Sequence, residues 1–92
     1  MALLQRAEIE AKLEDLDDWS LQGDAIQREI DCGDFAGSVA LVNEIAPVAE
    51  ELGHHPDLAI SWDTVTVTIS THSEGGLTAA DFDLAAQLDG LR

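Results

Sequence analysis

The sequence predicts an α+β domain in which helices cover one face of a four-stranded antiparallel sheet, in the order α-β-β-α-β-β-α. Two observations support this prediction. Two pairs of short stretches alternate apolar and polar residues with a period of two, as the strands of β-hairpins do. Three longer stretches, before, between and after these pairs, carry the apolar stripe of a helix. A chain of 92 residues is expected to form one domain, residues 1–92, with a core small enough to benefit from association.

The first three elements are a short helix and a hairpin. Residues 4–16 have the pattern of an amphipathic helix. Residues 19–21 and 25–30 form the first predicted hairpin around a turn that contains glycine and aspartate. The alternation of the second strand is imperfect, because Arg28 falls on its apolar side.

The long helix predicted for residues 35–52 has a wider apolar surface than its own sheet requires. Asp34 is its predicted N-cap, and Pro47 is expected to kink it or to perturb one turn. Apolar side chains fill about half of its circumference, whereas a helix that packs only on one sheet needs a stripe of roughly 100°. The excess predicts a homodimer or a homotetramer formed through this helix.

The second hairpin brings the histidines of the chain together. Residues 58–62 and 65–70 alternate with period two around a predicted loop at residues 63–64. Extending that register places His55 opposite His72, at the spacing of cross-strand neighbours. The loop lacks the Asn-Gly or Asp-Gly signal, so a slip by a residue or two stays open.

The approach to this hairpin is a helix end. Gly53 is typical of the position just past a helix, and Pro56 cannot continue one. His54 and His55 therefore fall in the exit turn.

A third helix is predicted for residues 78–91, after the second hairpin. Thr78 is its predicted N-cap, and Asp81 at the third helical position points back towards the end of the last strand. Asp81 therefore has two readings, as the acid of a capping box or as a partner of a histidine.

Charge and cysteine content exclude several classes of function. Nineteen acidic residues against four Lys and Arg give a net charge of −15, which disfavours binding to nucleic acid or to an anionic membrane. This balance suits a neutral heterocyclic substrate better than a phosphorylated one. One cysteine leaves no internal disulfide and no cysteine-based zinc cluster. No stretch approaches a membrane span, and a cytoplasmic protein is expected.

Three separated segments resemble a known family. His-His-Pro at 54–56, Thr-His at 71–72 and Gly-Leu-Thr-x-x-Asp at 76–81 resemble pterin-4a-carbinolamine dehydratase, also called the dimerization-cofactor family. The resemblance extends over about residues 19–88. It implies dehydration of 4a-hydroxytetrahydropterin to quinonoid dihydropterin, which recycles the pterin cofactor of aromatic amino acid hydroxylases.

The residue types fit that reaction. Dehydrating a carbinolamine requires a proton for the departing hydroxyl and removal of a proton from the neighbouring ring nitrogen. Imidazole, with an unperturbed pKa near 6.5, can do both near neutral pH, and no metal or other cofactor is required. The resemblance implies that His54 and His72 are the acid/base candidates, with His55 in catalysis, binding or support and Asp81 in binding or support. Further candidates for substrate binding or support are Pro56, Trp62 and Thr71.

Two other functions stay open at this point. Three histidines and Asp81 could ligate the metal of a hydrolase, although adjacent histidines point in different directions. A non-enzymatic binding module is the second alternative, because the resembled family includes proteins that stabilise a transcription-factor dimer. The sequence leaves open the identity of the pterin, the hydroxylase pathway and the choice between dimer and tetramer.

Overall fold

Four antiparallel strands form one sheet, and the buried side chains of the protein lie on one of its faces. The computed structural model describes residues 2–92. The elements are helices α1 (Arg6–Leu13), α2 (Phe35–Leu52) and α3 (Ala79–Asp89), and strands β1 (Ser20–Gln22), β2 (Ala25–Asp31), β3 (Asp57–Ser61) and β4 (Thr64–Ile69). The strand order is β1-β2-β4-β3, with every neighbouring pair antiparallel. The predicted α+β fold is confirmed.

Strand β4 lies in the interior of the sheet and shows the pattern that its position demands. Val65, Val67 and Ile69 are fully buried, and the threonines between them are half-buried on the other face. The buried face packs against apolar side chains of the two longer helices, chiefly Leu41, Ile45, Leu84, Ala85 and Leu88. This core holds the C-terminal end of α2 near the start of α3.

Arg28 breaks the alternation of β2 because it makes a polar connection inside the helical layer. Its Nη1 lies 2.5 Å from Asp89 Oδ1 at the end of α3. Trp19 Nε1 donates to the same carboxylate oxygen at 2.8 Å, and the indole is buried. A cation beside the C-terminus of a helix is favoured by the helix dipole. The contact of Arg28 with Asp89 therefore fixes the end of α3 against the sheet.

The β3–β4 hairpin differs from the predicted register by two residues. Its loop is Trp62-Asp63, so Ser61 pairs with Thr64. The predicted pairing of His55 with His72 is therefore wrong. A slip by two residues keeps the alternation of side chains, so Val65, Val67 and Ile69 of β4 still face the core, whereas Trp62 moves from the strand into the loop.

Contacts from outside the hairpin explain this loop. Trp62 adopts a left-handed backbone conformation with φ of 51°, which is costly for a bulky residue. Ser38 in α2 donates its hydroxyl to the Trp62 carbonyl at 2.8 Å, and the Cys32 N–H donates to the Asp63 carbonyl at 2.7 Å. The loop is fixed by α2 and by the end of β2 rather than by its own sequence.

Helix α2 begins and ends where its sequence signals predict. Asp34 accepts a hydrogen bond from the Gly37 N–H at 2.7 Å, as an N-cap does, and Gly53 ends the helix with φ of 63°. The helix is continuous through Pro47. The two outer helices are shorter than predicted. None of the helices within residues 2–92 combines the length and the apolar character needed to span a membrane.

Candidate active site

Three histidines meet at one end of the sheet. His54 and His55 directly follow α2, and His72 begins a short 3-10 turn, His72–Glu74, after β4. Together with Gly53, Ser70, Thr71 and Ser73 they line an open cavity of about 340 Å³. The prediction that the β3–β4 hairpin brings the histidines into one neighbourhood is confirmed. The predicted pairing of His55 with His72 is not.

The end of α2 aims His54 inward. The Gly53 N–H donates to the Glu50 carbonyl at 3.2 Å, and the His54 N–H donates to the Ala49 carbonyl at 3.1 Å. These two bonds with a left-handed Gly53 form a Schellman motif, which reverses the chain direction at a helix end. The side chain of His54 is only 13% exposed as a result.

His54 forms the shortest histidine–carboxylate contact of the described chain. Its Nε2 lies 2.5 Å from Oδ1 of Asp81, which is fully buried at the start of α3. A buried carboxylate must be compensated by hydrogen bonds or opposite charge. This pair joins the end of one helix to the start of the next, directly beside the cavity.

Asp81 also receives two donors on its other oxygen. The backbone N–H of Thr78 and the hydroxyl of Thr71 each donate to Oδ2 at 2.8 Å. The bond from Thr78 belongs to a complete capping box. Asp81 is thus a helix cap and a histidine partner at once, so the two readings from the sequence hold together.

His55 and His72 lie on the open side of the cavity. His55 Nε2 lies 3.2 Å from Glu50 Oε1, and His72 Nε2 lies 3.6 Å from Asp57 Oδ2, with both histidines mostly exposed. Exposed pairs of this kind contribute little to stability, so both imidazoles are available to a ligand.

Although the three histidines line one cavity, their Nε2 atoms do not share a partner. Each turns one Nε2 towards a different carboxylate. Within residues 2–92, no group of three or more His, Cys, Asp or Glu side chains is arranged to hold a metal ion.

The remaining candidates lie in different places. Thr71 is buried with its hydroxyl on Asp81, and Pro56 is half-buried directly after the histidine pair. Trp62 is 71% exposed at the tip of the β3–β4 hairpin, just after the last residue of β3. His54 and His55 lie just before the first residue of β3, at the opposite end of the strand. The fold therefore does not bring Trp62 to the cavity of its own chain.

The sequence did not predict that three further residues contact the candidate site residues. Glu50 and Asp57 face histidines from the surface, and the hydroxyl of Thr78 lies 2.8 Å from that of Thr71. A signal existed for Asp57, since it begins β3 directly beyond the histidine pair. No short-range signal brings Thr78 to Thr71, because their contact depends on how the chain returns after the 3-10 turn.

Known proteins match this chain over nearly its whole length. Residues 2–91 match the profile of the family described as pterin 4 alpha carbinolamine dehydratase. The chain belongs to this family. A relative from Nocardia farcinica, named "Putative pterin-4-alpha-carbinolamine dehydratase", is 51% identical over 89 residues, which is 97% of this chain and 94% of the relative. A relative of the same name from Roseiflexus castenholzii is 50% identical over 88 residues, covering 96% of this chain and 95% of the relative.

Solved structures share the fold. A crystal structure from Brucella melitensis, described as a transcriptional coactivator/pterin dehydratase, has a TM-score of 0.91 at 33% identity and covers 98% of each chain. A pterin dehydratase-like protein described as a RuBisCO assembly factor in the alpha-carboxysome has a TM-score of 0.67 at 26% identity. That comparison covers 80% of this chain and 88% of the other. The fold therefore occurs in proteins described by an enzymatic role and in a protein described by an assembly role.

Proposed function

We propose that this protein dehydrates 4a-hydroxytetrahydropterin to quinonoid dihydropterin by histidine acid/base catalysis. The single observation that carries the proposal is the contact of His54 with the buried carboxylate of Asp81 at the wall of a cavity that also contains His72. Membership of the dehydratase family supports the same reaction.

The reaction needs two proton transfers on neighbouring atoms. The hydroxyl on C4a leaves as water after it gains a proton, and the hydrogen on N5 is removed as the C4a–N5 double bond forms. The product and water together contain all atoms of the substrate, so no redox partner takes part. A positioned acid or base contributes about 10²–10⁴-fold to such a step.

The residues divide into an oriented histidine and more exposed ones. His54 is held by Asp81 and is suited to one of the two proton transfers. His72 lies in the turn after β4, so it reaches the cavity from another element and is suited to the other. His55 is assigned to substrate binding or to a supporting proton transfer, and Pro56 to shaping the exit of the histidine pair. Thr71 is assigned to support, since its hydroxyl is committed to Asp81.

We also propose that the protein forms a homodimer or a homotetramer through α2 and acts in the cytoplasm. Phe35 and Val39 on this helix are 57% and 38% exposed. These two residues are one helical turn apart and so lie on the same face, and neighbouring exposed apolar side chains are typical of an interaction surface. Leu41, by contrast, is only 1% exposed and belongs to the core of its own chain. The proposed contact therefore uses the flank of the helix that begins with Phe35.

A non-enzymatic binding role is the second candidate. It is favoured by the structural similarity to the protein described as a RuBisCO assembly factor. The two functions make opposite predictions for the dehydration of 4a-hydroxytetrahydropterin, which an enzyme accelerates and a binding module does not. The exposed α2 flank would serve the binding role, whereas the His54–Asp81 pair would serve the enzyme.

Rapid mixing of the purified protein with synthetic 4a-hydroxytetrahydropterin tests the proposal. Formation of the quinonoid product, followed by its ultraviolet absorbance, should be faster than in buffer and should saturate with substrate. A His54→Ala/His72→Ala double variant serves as the control for nonspecific acceleration by protein. Equal rates for wild type, double variant and buffer would reject the enzyme and leave the binding role.

A further inference from the structure

Thr71 connects the two parts of the candidate site. Its backbone N–H donates to the Gly76 carbonyl at 2.9 Å, and its carbonyl accepts from the Gly75 N–H at 3.0 Å, which closes the loop that carries His72. Its side chain is buried and donates to Asp81 Oδ2. One residue therefore contacts both the loop of one histidine and the carboxylate partner of the other.

The direction of the hydrogen bond between Thr71 and Thr78 follows from the number of available protons. A hydroxyl has one hydrogen, and an ionised carboxylate can only accept. Because Thr71 gives its hydrogen to Asp81, Thr78 must donate in the 2.8 Å contact between the two hydroxyls. The hydroxyl of Thr78 in turn accepts from the backbone N–H of Asp81 in the capping box. The bonds form a ring that begins and ends at Asp81.

This ring fixes which oxygen of Asp81 faces His54. Oδ2 accepts from Thr71 and from the Thr78 backbone, so Oδ1 is left to His54 Nε2 at 2.5 Å. An acceptor on one side of this contact requires a hydrogen on the other, so Nε2 carries a proton. Nδ1 of His54 has no hydrogen-bond partner within residues 2–92 and is not sealed from solvent.

We propose that Thr71 is a positioning residue, whose hydroxyl holds Asp81 so that His54 keeps its proton on Nε2 and exchanges the substrate proton through Nδ1. This inference rests on the proposed dehydratase function for its kinetic consequence. Its structural part, the proton on Nε2 of His54, does not depend on substrate and can be tested in the substrate-free protein. A purely structural role of Thr71 would make the hydroxyl matter for stability and leave turnover unchanged.

Two substitutions separate these roles. Thr71→Val keeps the β-branched shape and removes the hydroxyl, whereas Thr71→Ser keeps the hydroxyl and removes a methyl group. We expect kcat of the Val variant to fall about 10–100-fold, the loss seen when an outer partner of a functional histidine is removed at metal sites, with KM within about twofold. The Ser variant should keep most of the wild-type kcat. Thr66→Val, on the other face of β4, is the matched control and should leave kcat unchanged.

Nitrogen NMR of His54 in the substrate-free protein gives a second readout that does not depend on turnover. The wild type and the Ser variant should show the Nε2–H form with a protected Nε2 proton, and the Val variant should lose that protection. A wild-type His54 in the Nδ1–H form would overturn the assignment of the exchanging nitrogen, even if the Val variant did not fold. A Val variant with normal kcat and reduced stability would overturn the positioning role. An absence of dehydratase activity with the Nε2–H form present would reject the proposed function while retaining the inferred proton arrangement.

Discussion

Replacing Asp81 by Asn should change the proton arrangement of the His54 imidazole while leaving the His54 side chain in the protein. The amide of Asn has one accepting oxygen and one donating nitrogen, whereas the carboxylate accepts on both sides. If the oxygen faced His54, the nitrogen would meet two donors, the Thr78 N–H and the Thr71 hydroxyl. Leaving a buried donor unsatisfied costs about 1–3 kcal/mol, so the amide should turn the other way.

That orientation changes the proton arrangement of His54. The amide nitrogen then donates towards Nε2, which must accept, so the proton of a neutral imidazole moves to Nδ1. Because the proposed mechanism uses Nδ1 for exchange with the substrate, kcat should fall by about 10²–10⁴-fold, the contribution of a positioned acid or base. KM should change much less.

Asp81→Asn is expected to lower the free energy of unfolding only modestly. Hydrogen bonds to a charged group contribute about 1.5–3 kcal/mol and neutral ones about 0.5–1.5, so weakening the two retained bonds costs roughly 2 kcal/mol. Removing a buried charge offsets part of this cost. A decrease of about 1–2 kcal/mol in the free energy of unfolding is expected from urea titration.

The control is Asp83→Asn, an exposed acid two residues further along α3. It should change neither kcat nor stability appreciably. Normal turnover by Asp81→Asn together with reduced stability would mean that Asp81 acts only as a cap, and the reasoning about His54 would be wrong.

Three further predictions concern the other histidine, assembly and metals. His72→Ala should remain folded, because the imidazole is exposed, and should lose a large part of kcat; a variant with full turnover would remove His72 from the acid/base role. Val39→Glu should reduce the sedimentation coefficient without unfolding the chain, whereas Leu41→Glu should unfold it at a cost of about 4 kcal/mol or more; a monomeric wild type at micromolar concentration would refute the proposed α2 contact. Treatment with a chelator should leave kcat unchanged, and a loss that zinc restores would contradict metal-independent catalysis.

Much of the fold could be predicted because its signals are local. The alternation of Val65, Val67 and Ile69 and the caps at Asp34 and Gly53 all act within a few residues of their own position. The hairpin loop could not be predicted in the same way. Its position at Trp62 depends on bonds from distant segments, which no local turn preference reports.

The candidate site shows the same division. The sequence spacing places the histidines at the exits of a helix and a strand that end at the same side of the sheet, so their shared cavity was predictable. Which histidine contacts Asp81 was not, because it depends on the direction in which the Schellman motif turns His54 and on the packing of α3 beside α2. The ring through Thr71 and Thr78 also forms only after that packing.

The proposed catalytic role of the oriented histidine is tested most directly by kcat of His54→Ala with saturating 4a-hydroxytetrahydropterin. A decrease of about 10²–10⁴-fold is predicted, in a variant shown by urea titration to be folded under the assay conditions. Turnover close to that of wild type, at saturation and in the folded variant, would contradict the proposed role of the His54–Asp81 pair.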